Sequence, residues 1–139
     1  MVYLILGPSG SGKTKHLIDE ANREKANGNG NIVFIDSDDS HIFTLDISVR
    51  LINAAKYKVS NIDMLYGFIS GIASRDYDIE KIYLDGIYSI IEFNKESFLE
   101  LLDRLNWLSE EYNIDFYMGL DKEREQLPED EKAEIRVLE

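Results

Sequence analysis

Short apolar runs alternate with longer amphipathic stretches along this chain of 139 residues. Each run is rich in β-branched or aromatic residues, which is typical of strands buried on both faces of a parallel sheet. The predicted strands cover residues 2–6, 32–35, 81–84, 114–120 and 135–138.

Three of the intervening stretches carry apolar residues at helical spacing. Asparagine and glycine residues follow the first stretch, Ser60 and Asp63 resemble a capping box before the second, and Asn94 and Asn113 flank the third. The predicted helices cover residues 13–27, 61–74 and 94–113.

Strands that alternate with helices predict an α/β fold in three layers, with a mainly parallel five-stranded sheet. The length fits one domain over residues 1–139. Residues 40–59 have a weaker pattern, which fits a short edge hairpin or an irregular excursion. Residues 121–132 are nearly all charged and predict a loop or a short surface helix.

Charge and composition limit the partners, the chemistry and the location that we expect for this chain. The chain has 27 acidic and 15 basic residues and a net charge of −12, which disfavours nucleic acid as a main partner. The absence of cysteine excludes disulfides and thiolate chemistry. No apolar stretch reaches the length of a membrane span, and no signal peptide is visible, so we expect a cytoplasmic protein without membrane insertion.

A phosphate-binding pattern follows the first predicted strand. Residues 7–14 match the Walker A pattern G-x-x-x-x-G-K-[ST], in which glycines let backbone N–H groups converge on phosphate oxygens at a helix N-terminus. Lys13 is the predicted catalytic ligand of the β- and γ-phosphates, and the Thr14 hydroxyl is a predicted Mg²⁺ ligand. The predicted nucleotide-binding residues are Gly7, Pro8, Ser9, Gly10, Ser11, Gly12, Lys13 and Thr14.

Asp36 and Asp85 each follow a predicted buried strand, and either could be the carboxylate that binds Mg²⁺. Asp85 ends the run at 81–84, and the carboxyl ends of strands are where ligands bind in open α/β sheets. We predict Asp85 as a Mg²⁺ ligand and catalytic residue, the alternative being an aspartate that only begins a turn with Gly86. Asp36, with Asp38 and Asp39, forms either a substrate contact or a solvated acidic turn.

The Walker A loop together with Asp85, which looks like a Walker B residue, resembles the P-loop NTPase superfamily over the whole chain. The layout resembles the additional-strand or RecA-like division of that superfamily, and it is similar to small P-loop proteins labelled twitching-motility ATPase-like. The resemblance to this division implies that the third predicted strand carries the Walker B carboxylate and that the sheet order is 5-1-4-3-2. In the kinase-GTPase division, the Walker B strand lies beside the P-loop strand.

The chain departs from the catalytic pattern of the RecA-like division, which commonly places a glutamate near the Walker B aspartate. Asp85 is followed by Gly86, and the first nearby glutamate is Glu92, which we do not assign as the base. Asp121, at the tip of the fourth predicted strand, is a candidate sensor of the γ-phosphate. We therefore expect Mg²⁺-dependent ATP binding with weak or partner-dependent hydrolysis.

Two other functions stay open. A small nucleotide or metabolite kinase normally uses several arginines on a lid, and the six arginines here are scattered. A nucleotide-gated binding module would use ATP to order residues 36–48 or 119–132 for a protein partner, without turnover. ATP is preferred over GTP because the guanine-reading Asn-Lys-x-Asp motif is absent. A homo-oligomer is equally compatible with the sequence.

Overall fold

The computed structural model describes residues 1–8, 10–28, 30–121 and 133–138, and in these ranges six parallel strands form one sheet. The strands are β1 (Val2–Leu6), β2 (Asn31–Asp36), β3 (Arg50–Asn53), β4 (Ile79–Leu84), β5 (Asp115–Leu120) and β6 (Ala133–Val137). The α-helices are α1 (Lys13–Asn27), α2 (Ile62–Arg75) and α3 (Lys95–Tyr112), and short 3₁₀ turns span Ala54–Tyr57 and Ile87–Ser89. Residues 122–132, predicted as a loop or surface helix, lie outside the described residues.

The strand order is β3-β2-β4-β5-β1-β6. The α/β class and the parallel sheet are confirmed, but the predicted count of five strands is wrong. Residues 50–53 form an additional strand, β3, which pairs in parallel with β2 at the edge of the sheet. The observed order therefore differs from the predicted one by this edge strand, while the other five strands keep the predicted neighbours.

Helices cover both faces of the sheet, so the fold has three layers. Helix α1 packs on one face through Leu17, Ile18 and Ala21. Helices α2 and α3 pack on the other face, which contains the larger hydrophobic cluster. None of the helices within the described ranges is both long and apolar enough to cross a membrane.

A row of stacked aromatic rings crosses the sheet beneath α1. The ring centroids of Tyr3 and Tyr117 are 4.7 Å apart, those of Tyr117 and Tyr83 are 4.8 Å apart, and those of Tyr83 and Phe34 are 6.0 Å apart. These residues belong to β1, β5, β4 and β2 in turn. The row ties together the four strands whose carboxyl ends meet at one edge of the sheet.

The helix N-termini differ in how their N–H groups are satisfied. Asn94 and Ser97 form a capping box on α3, so the start of this helix after Asn94 agrees with the prediction. Helix α2 is capped by Asn61, whose side chain accepts from the Met64 N–H at 2.9 Å. The predicted capping box at Ser60 is therefore wrong by one residue. Helix α1 begins after Gly12, which has no side chain to cap it. Its first N–H groups are left for a ligand or for water.

Candidate functional site

A cavity of about 590 Å³ lies at the carboxyl ends of β2, β4 and β5, beside the N-terminus of α1. Parallel strands present their carboxyl ends together, and α1 begins at the same edge because it follows β1 directly. The lining includes glycines of the loop before α1, the first two residues of α1, and side chains from the ends of the three strands. Gly10, Gly12, Lys13 and Thr14 of the predicted loop therefore meet Asp85 in one place, whereas the predicted residue Ser9 lies outside the described residues.

The loop before α1 has a backbone that favours glycine at two positions. Gly10 and Gly12 have φ angles of +85° and +91°, in the left-handed region that residues with a Cβ rarely adopt. At Gly7, an added Cβ would lie 2.4 Å from the Ser11 Oγ. Gly7 is therefore required by close packing within the loop, whereas Gly10 and Gly12 are required by their backbone angles.

Lys13 is folded back against its own loop. Its Nζ donates to the carbonyl oxygens of Gly7 at 2.7 Å and Pro8 at 2.9 Å, and it lies 2.5 Å from the Asp121 Oδ1. The Lys13 side chain is 7% exposed, while that of Asp121 is 61% exposed. Asp121 thus lies beside the loop, and the ammonium group is held at the cavity by three oxygen atoms.

Thr14 and Asp85 form the central pair of the site. The Thr14 Oγ1 donates to the Asp85 Oδ2 at 2.7 Å, and the Asp85 backbone N–H donates to the Ile35 carbonyl at 2.9 Å. A Cβ on Gly119 would lie only 3.2 Å from the Asp85 Oδ1 and 3.0 Å from the Leu17 Cδ1. Gly119 on β5 therefore leaves the space that the Asp85 carboxylate occupies.

Asp36 lies beside Asp85 because β2 and β4 are neighbours in the sheet. Asp36 is 3% exposed, and burial raises its pKa to about 6, with a further contribution from the Asp85 charge. Its Oδ1 accepts from the Ser37 N–H at 2.7 Å, and its Oδ2 has no hydrogen-bond partner among the described residues. The cavity therefore holds a second buried carboxylate, close to the first and incompletely paired.

Gly86 allows the ends of β2 and β4 to approach each other. Its φ is +69°, and an added Cβ would lie 2.4 Å from the Ser37 Oγ and 3.2 Å from the Asp36 Oδ1. The turn that follows Asp85 is thus a close-packed part of the site. Tyr88 and Ser89 in the next 3₁₀ turn also line the cavity.

The sequence did not select Tyr88 or Ser89, and only their position just after the Asp85-Gly86 pair could have indicated them. Burial raises the pKa of Tyr88 to about 12, so its hydroxyl stays protonated at neutral pH. The aromatic residues of α2, Tyr66 and Phe68, do not line this cavity.

The remaining acidic candidates divide into two groups. Asp38 and Asp121 line the cavity and are exposed, whereas Asp39 and Glu92 are exposed and do not line it. Glu92, which is not assigned as the base, therefore lies apart from the cavity. Asp36 is buried in the cavity, Asp38 is exposed while lining it, and Asp39 is exposed outside it.

The residues present fit Mg²⁺ as a partial ligand set. The Thr14 hydroxyl and the Asp85 carboxylate are hard oxygen donors, the kind that Mg²⁺ prefers. In the described part of the chain, no group of three or more His, Cys, Asp or Glu side chains could hold a metal ion. A Mg²⁺ ion at the pair would therefore take its other oxygens from ligand phosphates and water, as it does in nucleotide sites.

The charge of the cavity lining is negative. Among the described residues, four aspartates and one lysine line it, namely Asp36, Asp38, Asp85, Asp121 and Lys13. A free triphosphate would meet this negative field, whereas a triphosphate that carries Mg²⁺ would bring a cation to the carboxylates and an anion to Lys13.

No protein-family model matches the chain, and no curated protein sequence shows significant similarity to it.

Proposed function

We propose that this chain is a P-loop NTPase that binds ATP as its Mg²⁺ complex and hydrolyses it slowly. The proposal is carried by the placement of Lys13 beside the Thr14–Asp85 pair at the uncapped N-terminus of α1. An uncapped helix start after a glycine-rich loop binds anions through its N–H groups and the helix dipole. The position of β5 between β1 and β4 supports membership of the additional-strand division.

Binding would exchange the partners of Lys13. In the structure its ammonium group contacts the Gly7 and Pro8 carbonyls and Asp121. Phosphate oxygens would replace these acceptors, and the α1 N–H groups would donate to the same phosphates. Mg²⁺, when bound at Thr14 and Asp85, supplies positive charge to the β- and γ-phosphates.

Asp36 is the residue that we propose as the acceptor of a proton from the attacking water. The water oxygen forms a bond to the γ-phosphorus, the bond from that phosphorus to the bridging oxygen breaks, and ADP leaves. The water proton passes to the Asp36 Oδ2 and then to the released phosphate. A pKa near 6 suits this role, because a general base works best when its pKa lies near the working pH.

Few basic residues line the cavity in the part of the chain that the structure describes, which supports a slow reaction. There, Lys13 and His41 are the basic residues of the lining, and no arginine belongs to it. An arginine at the γ-phosphate is worth several orders of magnitude in rate in related chemistry. The same observation disfavours the metabolite kinase, which would need cations around the transferred phosphoryl group.

Phosphate release from MgATP tests the catalytic part of the proposal. Wild type should release phosphate slowly, and Asp36→Asn should reduce the rate at least about tenfold while leaving MgATP affinity within a few-fold. Asp39→Asn is the matched control, because Asp39 lies in the same turn but outside the cavity. Equal rates in all three proteins would contradict the role of Asp36. Binding without release in wild type would support the nucleotide-gated module.

A further inference from the structure

Three large apolar side chains are exposed in the segment between β2 and β3. The exposed fractions are 52% for Ile42, 97% for Phe43 and 102% for Ile47. All three line one shallow groove of about 570 Å³ on the surface. We call these three residues the apolar patch. Contiguous exposed apolar surface is unfavourable in water and commonly marks an interaction site.

The apolar patch is carried by an anchored segment. Leu45 and Val49 of the same segment are 7% and 5% exposed and belong to the cluster beneath α1. Asn22 of α1 donates from its Nδ2 to the Thr44 carbonyl at 3.0 Å and accepts from the Asp46 N–H at 2.8 Å. The segment thus buries Leu45 and Val49 and exposes the apolar patch. The patch is exposed because the contacts with the core and with Asn22 hold the backbone in this orientation.

The exposed charges of the segment that carries the apolar patch are mainly acidic. Asp38, Asp39 and Asp46 are exposed, and Arg50 at the end of the segment is exposed as well; Asp46 and Arg50 line the groove itself. Ser40 donates from its N–H and hydroxyl to Asp38, and Ser48 does the same to Asp46. An apolar surface on a mainly acidic segment complements a partner with an apolar face and basic residues beside it.

We propose that the apolar patch is a docking surface for a basic amphipathic helix of another protein. Such a helix would place apolar residues against Phe43 and Ile47 and lysine or arginine side chains near the three aspartates. A second copy of this chain is a poorer occupant, because each copy carries a net charge of −12. An anionic lipid surface is disfavoured for the same reason. This inference goes beyond ATP binding and does not depend on it.

A designed peptide provides the test. The probe is a fluorescein-labelled helix of leucine and lysine about four turns long, with the leucines on one face, and binding is followed by fluorescence anisotropy. The variant Phe43→Ser with Ile47→Ser keeps the net charge, so a non-specific electrostatic attraction would be unchanged. We expect this variant to bind the peptide at least about tenfold more weakly than wild type.

Trp107→Ser is the matched control, because Trp107 is 53% exposed on α3, which packs on the other face of the sheet from the segment that carries the patch. It should bind the peptide as wild type does, and so should Lys13→Ala, which separates this test from nucleotide binding. Ile47→Ser alone is the milder variant, with an expected loss of a few-fold, in case the double variant unfolds on circular dichroism.

Three results would overturn the proposal. The first is equal peptide affinity in wild type and in both patch variants. The second is patch-dependent binding to vesicles of phosphatidylcholine and phosphatidylglycerol without patch-dependent binding to the peptide, which would assign the surface to a membrane. The third is a dimer in sedimentation that the patch variants convert to a monomer, which would assign the surface to a second copy.

Discussion

The two sides of the cavity have opposite chemistry. On the α1 side, an uncapped helix N-terminus and Lys13 present hydrogen-bond donors and positive charge. On the strand side, Asp36 and Asp85 are both buried, at 3% and 8% exposure, and present carboxylates. The ammonium group of Lys13 is satisfied by loop carbonyls, whereas the two carboxylates repel each other. A ligand that carries both charges, such as a nucleotide with Mg²⁺, would satisfy both sides.

Among substitutions on the strand side of the cavity, the largest effect on MgATP binding should come from Asp85. In Asp85→Asn the hydrogen bond from Thr14 can persist, but the charge that would hold Mg²⁺ is lost. We expect the affinity for MgATP to fall roughly 10- to 100-fold and to lose most of its dependence on Mg²⁺. Titrations of ATP with and without Mg²⁺ measure this. An unchanged dependence on Mg²⁺ would place the metal elsewhere.

Asp36→Asn should stabilise the protein at alkaline pH. The folded pKa of Asp36, about 6, lies above the ordinary value of 3.8, so the folded state holds its proton more tightly than the unfolded state. The wild type therefore loses stability as the pH rises from about 4 to 6. The shift corresponds to about 3 kcal/mol at most, and we expect a gain of about 1–3 kcal/mol for the variant above pH 7.

Urea unfolding at pH 8 and at pH 4 measures this effect. The difference between Asp36→Asn and wild type should be present at pH 8 and small at pH 4, where Asp36 is protonated in the folded state and roughly 40% protonated in the unfolded state. A difference that is the same at both values of pH would mean that the carboxylate of Asp36 is not destabilised by its surroundings.

Gly119 and Gly67 provide a matched pair for the space around Asp85. In Gly119→Ala the added Cβ would crowd Leu17 and Asp85, and we expect a loss of about 1 kcal/mol of stability with a few-fold weaker MgATP binding. In Gly67→Ala the added Cβ meets no atom within 4 Å and lies within α2, so a gain of about 0.5–1 kcal/mol is expected. Thermal unfolding of both variants checks this, and equal changes would contradict the crowding.

The smallest effect should come from Glu92. Its side chain is exposed and does not line the cavity, although it is the first glutamate after Asp85 in the sequence. Glu92→Gln should therefore change the rate of phosphate release from MgATP by less than about twofold. A large loss of rate would mean that Glu92 reaches the nucleotide after a rearrangement, and Asp36 would then lose its proposed role.

The strands that could be predicted from the sequence are those buried on both faces. The run from Ile32 to Ile35 is continuously apolar because helices cover both sides of β2, so the pattern is clear. Strand β3 was missed because it lies at the sheet edge, where Leu51 and Ile52 are only half-buried and polar residues stand at both ends. An edge strand of four residues leaves too little periodicity to identify it.

The parts of the site that could be predicted are those contained in one continuous stretch. The loop before α1 is encoded by adjacent residues, so its glycines, Lys13 and Thr14 are visible in the sequence. The approach of Asp36 to Asp85 depends on β2 and β4 being neighbours, and the sequence of either strand does not determine this. Tyr88 could not be predicted either, because its position in the cavity depends on the turn at Gly86.

Calorimetric titration of MgATP into wild type, Lys13→Ala and Lys15→Ala tests the central claim most directly. Lys15 is on the same helix but is 81% exposed and paired with Asp19, so it controls for the loss of one positive charge. We predict saturable binding to wild type and to Lys15→Ala, and at least about 100-fold weaker binding to Lys13→Ala, because only Lys13 lies at the phosphate site. Equal binding to all three proteins, or no binding to wild type, would contradict the assignment of the cavity as a nucleotide site.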